Sequence, residues 1–264
     1  KRYYVGMNTR NSFKTPAIVL RSLDYGESDR IVTFYTSDFG KLKGIAKGAR
    51  RSRKRFANSA LEPFSCSYTL FSRKGRNTLA FIEDCDIINS YPDIKGDLEK
   101  TLIASYLVEL VDQFTRGGKE NGNLFRLLQD FLILIETGET SEWLVRFFEI
   151  RLLKLSGYEP VLDRCLACKK QVTNTHTYRF HVKEGGLRCN TCCSSGFGSL
   201  PVSFGTIRAL LMGKEVDPGQ INRLLLSEPS AEESRHLLVS FIQHLLGKEL
   251  KSLRVLTEVR NMVI

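Results

Sequence analysis

No catalytic signature runs through this chain. The phosphate-binding pattern G-x-x-x-x-G-K-[ST] is missing: Gly118-Lys119, Gly213-Lys214 and Gly247-Lys248 are each followed by Glu, which cannot present the small hydroxyl that such a loop sets on magnesium. ATP hydrolysis is therefore not expected. A G-x-S-x-G elbow, an H-E-x-x-H helix and a strand-borne acidic cluster suited to two-metal nuclease chemistry are also missing, so the expectation is a binding protein and not an enzyme. Long apolar stretches are scarce. The longest uninterrupted run is Phe131 to Ile135, far short of the roughly 20 residues that a membrane-spanning helix needs. No N-terminal segment combines a basic start, an apolar core and a small-residue cleavage site, so secretion is not expected. With 42% hydrophobic and 26% charged residues among 264, the chain has ordinary globular composition and enough length for two or three compact units.

Acidic residues are scarce at one end. Residues 1–80 hold seventeen Lys and Arg against five Asp and Glu, a net of +12, whereas residues 81–264 hold twenty-two against twenty-four, a net of −2. The excess centres on KLKGIAKGARRSRKR, from Lys41 to Arg55. Eight of its fifteen residues are basic, namely Lys41, Lys43, Lys47, Arg50, Arg51, Arg53, Lys54 and Arg55, and none is acidic. Such a run reads as a solvated loop, an address signal or a polyanion site. Here Gly40, Gly44, Gly48, Ile45, Ala46 and Ala49 are interleaved with it, and it reads as a strand opening into a mobile basic hairpin. A positive patch carried by a sheet is an electrostatic footprint for nucleic acid.

Around the run lie short β-branched and aromatic segments: Ala17 to Leu20 with Leu23, Ile31 to Tyr35, Leu42 to Ala46, Ser67 to Phe71, and Leu79 to Ile82. Gly, Ser, Asp or basic turns separate them. Five such strands in about eighty residues, punctuated at Tyr25-Gly26-Glu27-Ser28, Ser37-Asp38-Phe39-Gly40 and Pro63, predict a small barrel of OB type, whose open face and loops track single strands. Phe34, Tyr35, Phe39, Phe56, Phe64, Tyr68 and Phe71 are aromatics that could stack on bases, although alternation sends most of them to the core. Residues 1–14 carry no clear period.

After Pro92 the period switches to 3.6. Leu98 through Phe114 form one stripe that stops at Gly117-Gly118. A second helix, with Asn123 as its cap, turns Leu124, Leu127, Leu128, Phe131, Leu132 and Ile135 inward up to Gly138. Ser141 caps a third, with Trp143, Leu144, Phe147, Phe148, Leu152 and Leu155 inward before Gly157. Helical period resumes in Val202 to Met212, Ile221 to Leu226 and Ala231 to Leu246. The reading is therefore α+β and multidomain. An N-terminal extension (1–14) precedes an OB-fold (15–90), a helical domain follows (91–160 and 200–250) with a cysteine-bearing insertion (161–199), and 251–264 form a C-terminal segment.

The cysteines are few but clustered. Five of seven, Cys165, Cys168, Cys189, Cys192 and Cys193, fall within twenty-nine residues, while Cys66 and Cys85 stand alone as small buried hydrophobes. Two C-x-x-C pairs twenty residues apart read as a structural Zn2+ site: each pair makes a tight turn, and Cys165, Cys168, Cys189 and Cys192 complete a closed tetrahedral shell. Cys193 could replace Cys192 with a small shift of register. His176 and His181 are ordinary polar residues if four cysteines already saturate the ion, and a redox role is the weaker alternative. Thr177 to Val182 and Gly185 to Arg188 read as the hairpin joining the knuckles.

Several motifs together resemble the RecO family of bacterial recombination mediators, across nearly the whole chain from about Thr15. Glu27-Ser28-Asp29-Arg30-Ile31-Val32, Thr36-x-x-Phe39-Gly40 and Ala46-Lys47-Gly48-Ala49-Arg50 resemble its N-terminal signature, and Leu61-Glu62-Pro63-Phe64 the segment after its basic hairpin. The Cys165 to Cys192 spacing, with Gly185-Gly186-Leu187 before the second pair, is similar to the zinc finger that many members carry. The resemblance implies binding of single- and double-stranded DNA, annealing of complementary strands, and partnership with RecR and with the acidic C-terminal tail of single-stranded DNA-binding protein in aid of RecA loading. It further implies a bacterial cytoplasmic, nucleoid-associated protein with no membrane partner. For the tail, Arg126 and Arg146 beside the second and third helical stripes are candidate contacts; equally, they could pair with Asp130 or Glu149 on their own helices. A nuclease and a zinc-stabilised adaptor without a nucleic-acid role are the other two classes.

Overall fold

A computed structural model describes residues 12–52, 54–57, 59–73, 78–117, 119–138, 140–193, 198–223 and 227–263. The chain divides into two compact units, Lys1–Thr137 and Gly138–Ile264.

In the first unit, β1 (Ser12–Tyr25), β2 (Asp29–Thr36), β3 (Gly40–Ala46), β4 (Cys66–Ser72) and β5 (Ala80–Asn89) close into a barrel of order β1-β2-β3-β5-β4. All pairs are antiparallel except β3 with β5, where Gly44 lies opposite Ala80 and Ile45 opposite Phe81. This is the expected OB-type barrel. Period-2 patterning builds it: on β3, Leu42 and Ala46 point inward and Lys41, Lys43 and Ile45 outward. Ala17, Val19, Val32, Phe34, Phe71 and Ile82 fill the interior. Gly44 permits the closure, because a Cβ there would stand 2.4 Å from the Ile82 side chain. Strand β1 starts inside the stretch that had no sequence period.

Three helices complete this unit: α1 (Pro92–Gly96), α2 (Leu98–Phe114) and α3 (Gly122–Thr137). The short α1 was not anticipated; the Glu136 carboxylate accepts from the amides of Asp93 and Ile94 at its start. The cap of α3 is Asn121, whose Oδ1 accepts from the Leu124 amide at 3.2 Å, and not Asn123. The α2–α3 connection lies against the barrel. Tyr35 donates to the Asn121 carbonyl, Lys41 bridges to Gly117, and Gly40, at φ 63°, comes so near the Lys119 carbonyl that a Cβ would stand 2.1 Å from it.

The second unit opens with α4 (Glu142–Ser156), capped as expected by Ser141 and closed by Gly157 in the left-handed region. It packs against α5 (Phe204–Glu215) and α6 (Glu228–Leu246). Between α4 and α5 lies a sheet of order β6-β8-β7-β9, formed by Val161–Cys165, Gly186–Cys189, Tyr178–His181 and Ser199–Val202. The antiparallel β7–β8 pair is the expected hairpin; β6 and β9 flank it. Phe180 of β7 meets Phe241 of α6 edge to face at 5.5 Å, which fastens sheet to helix. Ser203 caps α5, which starts at Phe204, whereas the helical period begins at Val202. Pro218–Arg223 form a 3-10 turn where helical period extended to Leu226, and residues 224–226 lie outside the described residues. A final helix, α7 (Lys251–Val263), buries Leu253 and Leu256.

Candidate nucleic-acid interface and metal centre

The basic run is not a free hairpin. Lys41 and Lys43 lie on β3, and the described residues that follow form turns anchored at both ends. Arg50 donates its amide to the Ser28 carbonyl, and the Gly48 amide reaches Asp29 Oδ1 at 2.8 Å, so the loop is fastened to the β1–β2 turn. At the far end Phe56 is buried beside Cys85, whose amide donates to the Arg55 carbonyl. The cations differ sharply within this frame. Lys41 is a correction to the DNA-contacting set: its Nζ stands 2.6 Å from Asp112 Oδ1 and 2.7 Å from the Asp112 carbonyl, so it tethers β3 to α2. Arg55 pins the loop to itself, donating to the Lys47 carbonyl and Ser52 Oγ and lying 5.2 Å from the centre of the Phe56 ring.

Arg50 and Arg51 point outward with long contacts to Asp24 and Glu27, at 4.0 and 3.6 Å. Pairs this exposed hold a cation only weakly and yield it to a phosphate. Lys43, Lys47 and Lys54 are exposed and form no ion pair among the described residues. Arg53 lies outside the described residues. On the α2–α3 connection Arg116 and Lys119 are also exposed, beside the Gly40–Lys41 end of β3; only the tertiary approach of that loop brings them there.

Of the seven aromatics proposed for stacking, Phe34, Tyr35, Phe56, Phe64 and Phe71 are buried. Phe39 is half-buried against Phe13 and Phe71, and Tyr68 is exposed beside Lys14. Tyr25, at the tip of β1, is 55% exposed and was read only as a turn residue. The alternation Arg21, Leu23, Tyr25 was the signal that pointed to it.

In the second unit the sulfurs of Cys165, Cys168, Cys189 and Cys192 all lie within 4.8 Å of one another. Two tight turns bring them there: the Lys169 amide donates to the Cys165 carbonyl and the Cys192 amide to the Cys189 carbonyl, both at 3.0 Å. The Leu166 amide, donating to the Leu187 carbonyl, ties the knuckles together. Burial opposes ionisation of Cys165, but the amides of Cys168, Cys189 and Ala167 outweigh it and bring the thiol down to about 6. Hydrogen bonds with Cys189 and Cys168 push Cys192 up to about 12. A cation among the four sulfurs would satisfy all of them. Cys193 stands apart from the cluster, its Sγ 3.7 Å from His181 Nε2. His176 is exposed ahead of β7.

The remaining two candidates separate. Arg126 is exposed on α3. Arg146 is 1% exposed, with its guanidinium 3.1 Å from Glu149 and 3.9 Å from Glu142, so it is an internal ion-pair residue and cannot meet a docked peptide.

An OB-type barrel with a cationic loop, followed by a helical unit carrying a four-thiol cluster, is the class of protein that these two sites define. The family is specific: the chain belongs to recombination protein O, RecO. The N-terminal model of that family matches residues 7–91 and its C-terminal model residues 95–254. The DNA repair protein RecO of Syntrophus aciditrophicus is 53% identical over 97% of this chain and 99% of its own length. The DNA repair proteins RecO of Geobacter metallireducens and of Anaeromyxobacter sp. strain K are 38% and 33% identical, over 94% and 93% of this chain and 98% and 96% of theirs. Among the described residues no helix is long and apolar enough to cross a membrane.

Proposed function

We propose that the chain is a DNA-binding recombination mediator that anneals complementary single strands without nucleotide and acts as a binding protein, not an enzyme. The observation that carries this reading is the cluster of exposed cations, Lys43, Lys47, Arg50, Arg51 and Lys54, at one end of an OB-type barrel in a RecO family chain. Annealing requires two phosphate backbones to approach, and a cationic loop on a rigid barrel lowers their mutual repulsion without chemical energy. Family membership supports RecR and the acidic tail of single-stranded DNA-binding protein as partners, with RecA loading as the outcome and the bacterial nucleoid as the place. Arg126 is the exposed cation left to offer that tail. Four thiols in a closed shell fit one structural Zn2+, with Cys165, Cys168, Cys189 and Cys192 as ligands and no position for a reacting water.

The test is annealing of two labelled complementary strands with and without ATP, alongside a magnesium-dependent cleavage assay on the same strands. Annealing at equal rate in both conditions, with the strands intact, is the expected result. An ATP requirement overturns the mechanism, and cleavage overturns the reading as a binding protein.

A further inference from the structure

The last helix of the second unit is lightly attached. Helix α7 turns Leu253 and Leu256 inward, while its other large apolar side chains, Val255 and Met262, are 41% and 81% exposed. A groove of about 260 Å3 separates it from α6, with Val239, Ser240 and Gln243 on one wall and Leu253 and Thr257 on the other. Few buried apolar contacts and an open flank are the marks of an element at the low end of local stability.

The polar fastening of α7 is drawn two ways. Arg260 donates to Glu142 Oε1 at the start of α4. The other carboxylate oxygen, Oε2, stands 3.9 Å from Arg146 Nε, and both of these atoms are buried without a hydrogen bond. Docking of α7 therefore leaves a buried donor and a buried acceptor facing one another across a gap too long to be bonded. Once Arg260 lets go, the carboxylate is free to close that gap and form a charge-assisted hydrogen bond within α4. That bond offsets part of what the departure of the two leucines costs. Glu142 thus has two alternative partners, one for each position of α7.

We propose that α7 is a detachable strap on a helix-receiving seat formed by α4 and α6, and that the vacated seat takes an amphipathic helix of a partner protein. Helix α7 is the resident template for that partner. Its apolar residues at i and i+3, Leu253 and Leu256, and its arginine at i+7, Arg260, share one face. Glu142 sets the sign of the charge, so the partner helix carries a cation at the position of Arg260, and a partner with larger side chains over the groove displaces the strap. Nothing here depends on the cations of the barrel, so the strap stands or falls apart from the DNA-binding reading.

Hydrogen exchange of the full chain is expected to show the α7 amides exchanging about tenfold or more faster than those of α4 and α6. Arg260→Ala should speed α7 further and leave α4 and α6 as they are, and Arg260→Lys should restore most of the protection. The seat is read with a fluorescent peptide of residues 250–264. A Leu253→Ser, Leu256→Ser variant of the full chain, whose own strap is weakened, should bind it about tenfold or more tighter than wild type. The same peptide carrying Arg260→Glu should not bind. Should the double variant unfold, Arg260→Ala must show the gain instead. Helix α7 as protected as α4 and α6 overturns the strap. Peptide affinity equal for wild type and variants, or no binding to any of them, overturns the seat. A wild-type dimer in sedimentation velocity that the peptide dissociates gives the seat to a second copy and overturns the partner helix.

Discussion

The two units reach stability by different routes. The barrel's strands run from 7 to 14 residues and enclose a continuous apolar interior, so pairing and burial suffice to hold it. The strands of the second sheet run 4 to 5 residues, and most of their connections are polar and exposed. Strands so short gain little from pairing alone. The four-thiol cluster sits at the knuckles that join β6 to β8, where a bound cation would compensate for the limited burial. On the reading proposed above, a cation held by the four thiols would fasten one unit, while the exposed cations of the other would serve a partner.

Breaking the fastener is the largest effect expected. Cys165→Ser or Cys189→Ser should release zinc and lower the thermal transition of the second unit, because structural zinc contributes binding free energy on the order of 10–16 kcal/mol that is also folding free energy. Calorimetry with elemental analysis reads this, and wild type purified without zinc contradicts it. Binding of DNA by the barrel should survive the same substitution.

Next in size is the buried pair on α4. Arg146→Ala removes the guanidinium 3.1 Å from Glu149, which is 0% exposed, and should cost about 3–5 kcal/mol in denaturant unfolding. An Arg146→Met, Glu149→Leu double variant should restore most of that loss, since an apolar pair of similar volume needs no compensating charge. A loss as large in the double variant as in the single one excludes the ion-pair account. Smaller again, Gly44→Ala should destabilise the barrel by about 1–3 kcal/mol through overpacking against Ile82, while the second unit keeps its transition.

Much of this contrast was legible in the sequence. Short β-branched and aromatic segments set between turn residues located the five barrel strands, although only β3 alternates cleanly and β2 is buried along most of its length. The C-x-x-C spacing located the thiols, because each pair is a local turn. What escaped depends on contacts between distant segments. Lys41 reads as one cation among eight until α2 places Asp112 against it, and Arg146 reads as a surface residue until the second unit closes around α4. Helix α7 has a pronounced 3.6 period, with Leu253 and Leu256 inward among charged neighbours; its low overall hydropathy, and not a missing period, is why it reads only as a C-terminal segment. Tyr25 was obscured by the turn that follows it. The choice between Cys192 and Cys193 was open in the spacing; the fold turns Cys192 into the four-thiol cluster and Cys193 toward His181.

The central claim is that the exposed cations of β3 and the loop after it, and not the charge of the run as a whole, bind phosphate. It is tested most directly by the slope of log K against log salt for a single strand, measured on wild type, on a Lys43→Ala, Lys47→Ala, Lys54→Ala variant and on Lys41→Ala. Each lost phosphate contact should flatten the slope by roughly 0.7, so the triple variant should fall by about 2, whereas Lys41→Ala, whose charge is already held by Asp112, should leave the slope where it was. A triple variant with the wild-type slope, or a Lys41→Ala variant that loses as much per residue as the others, contradicts the account.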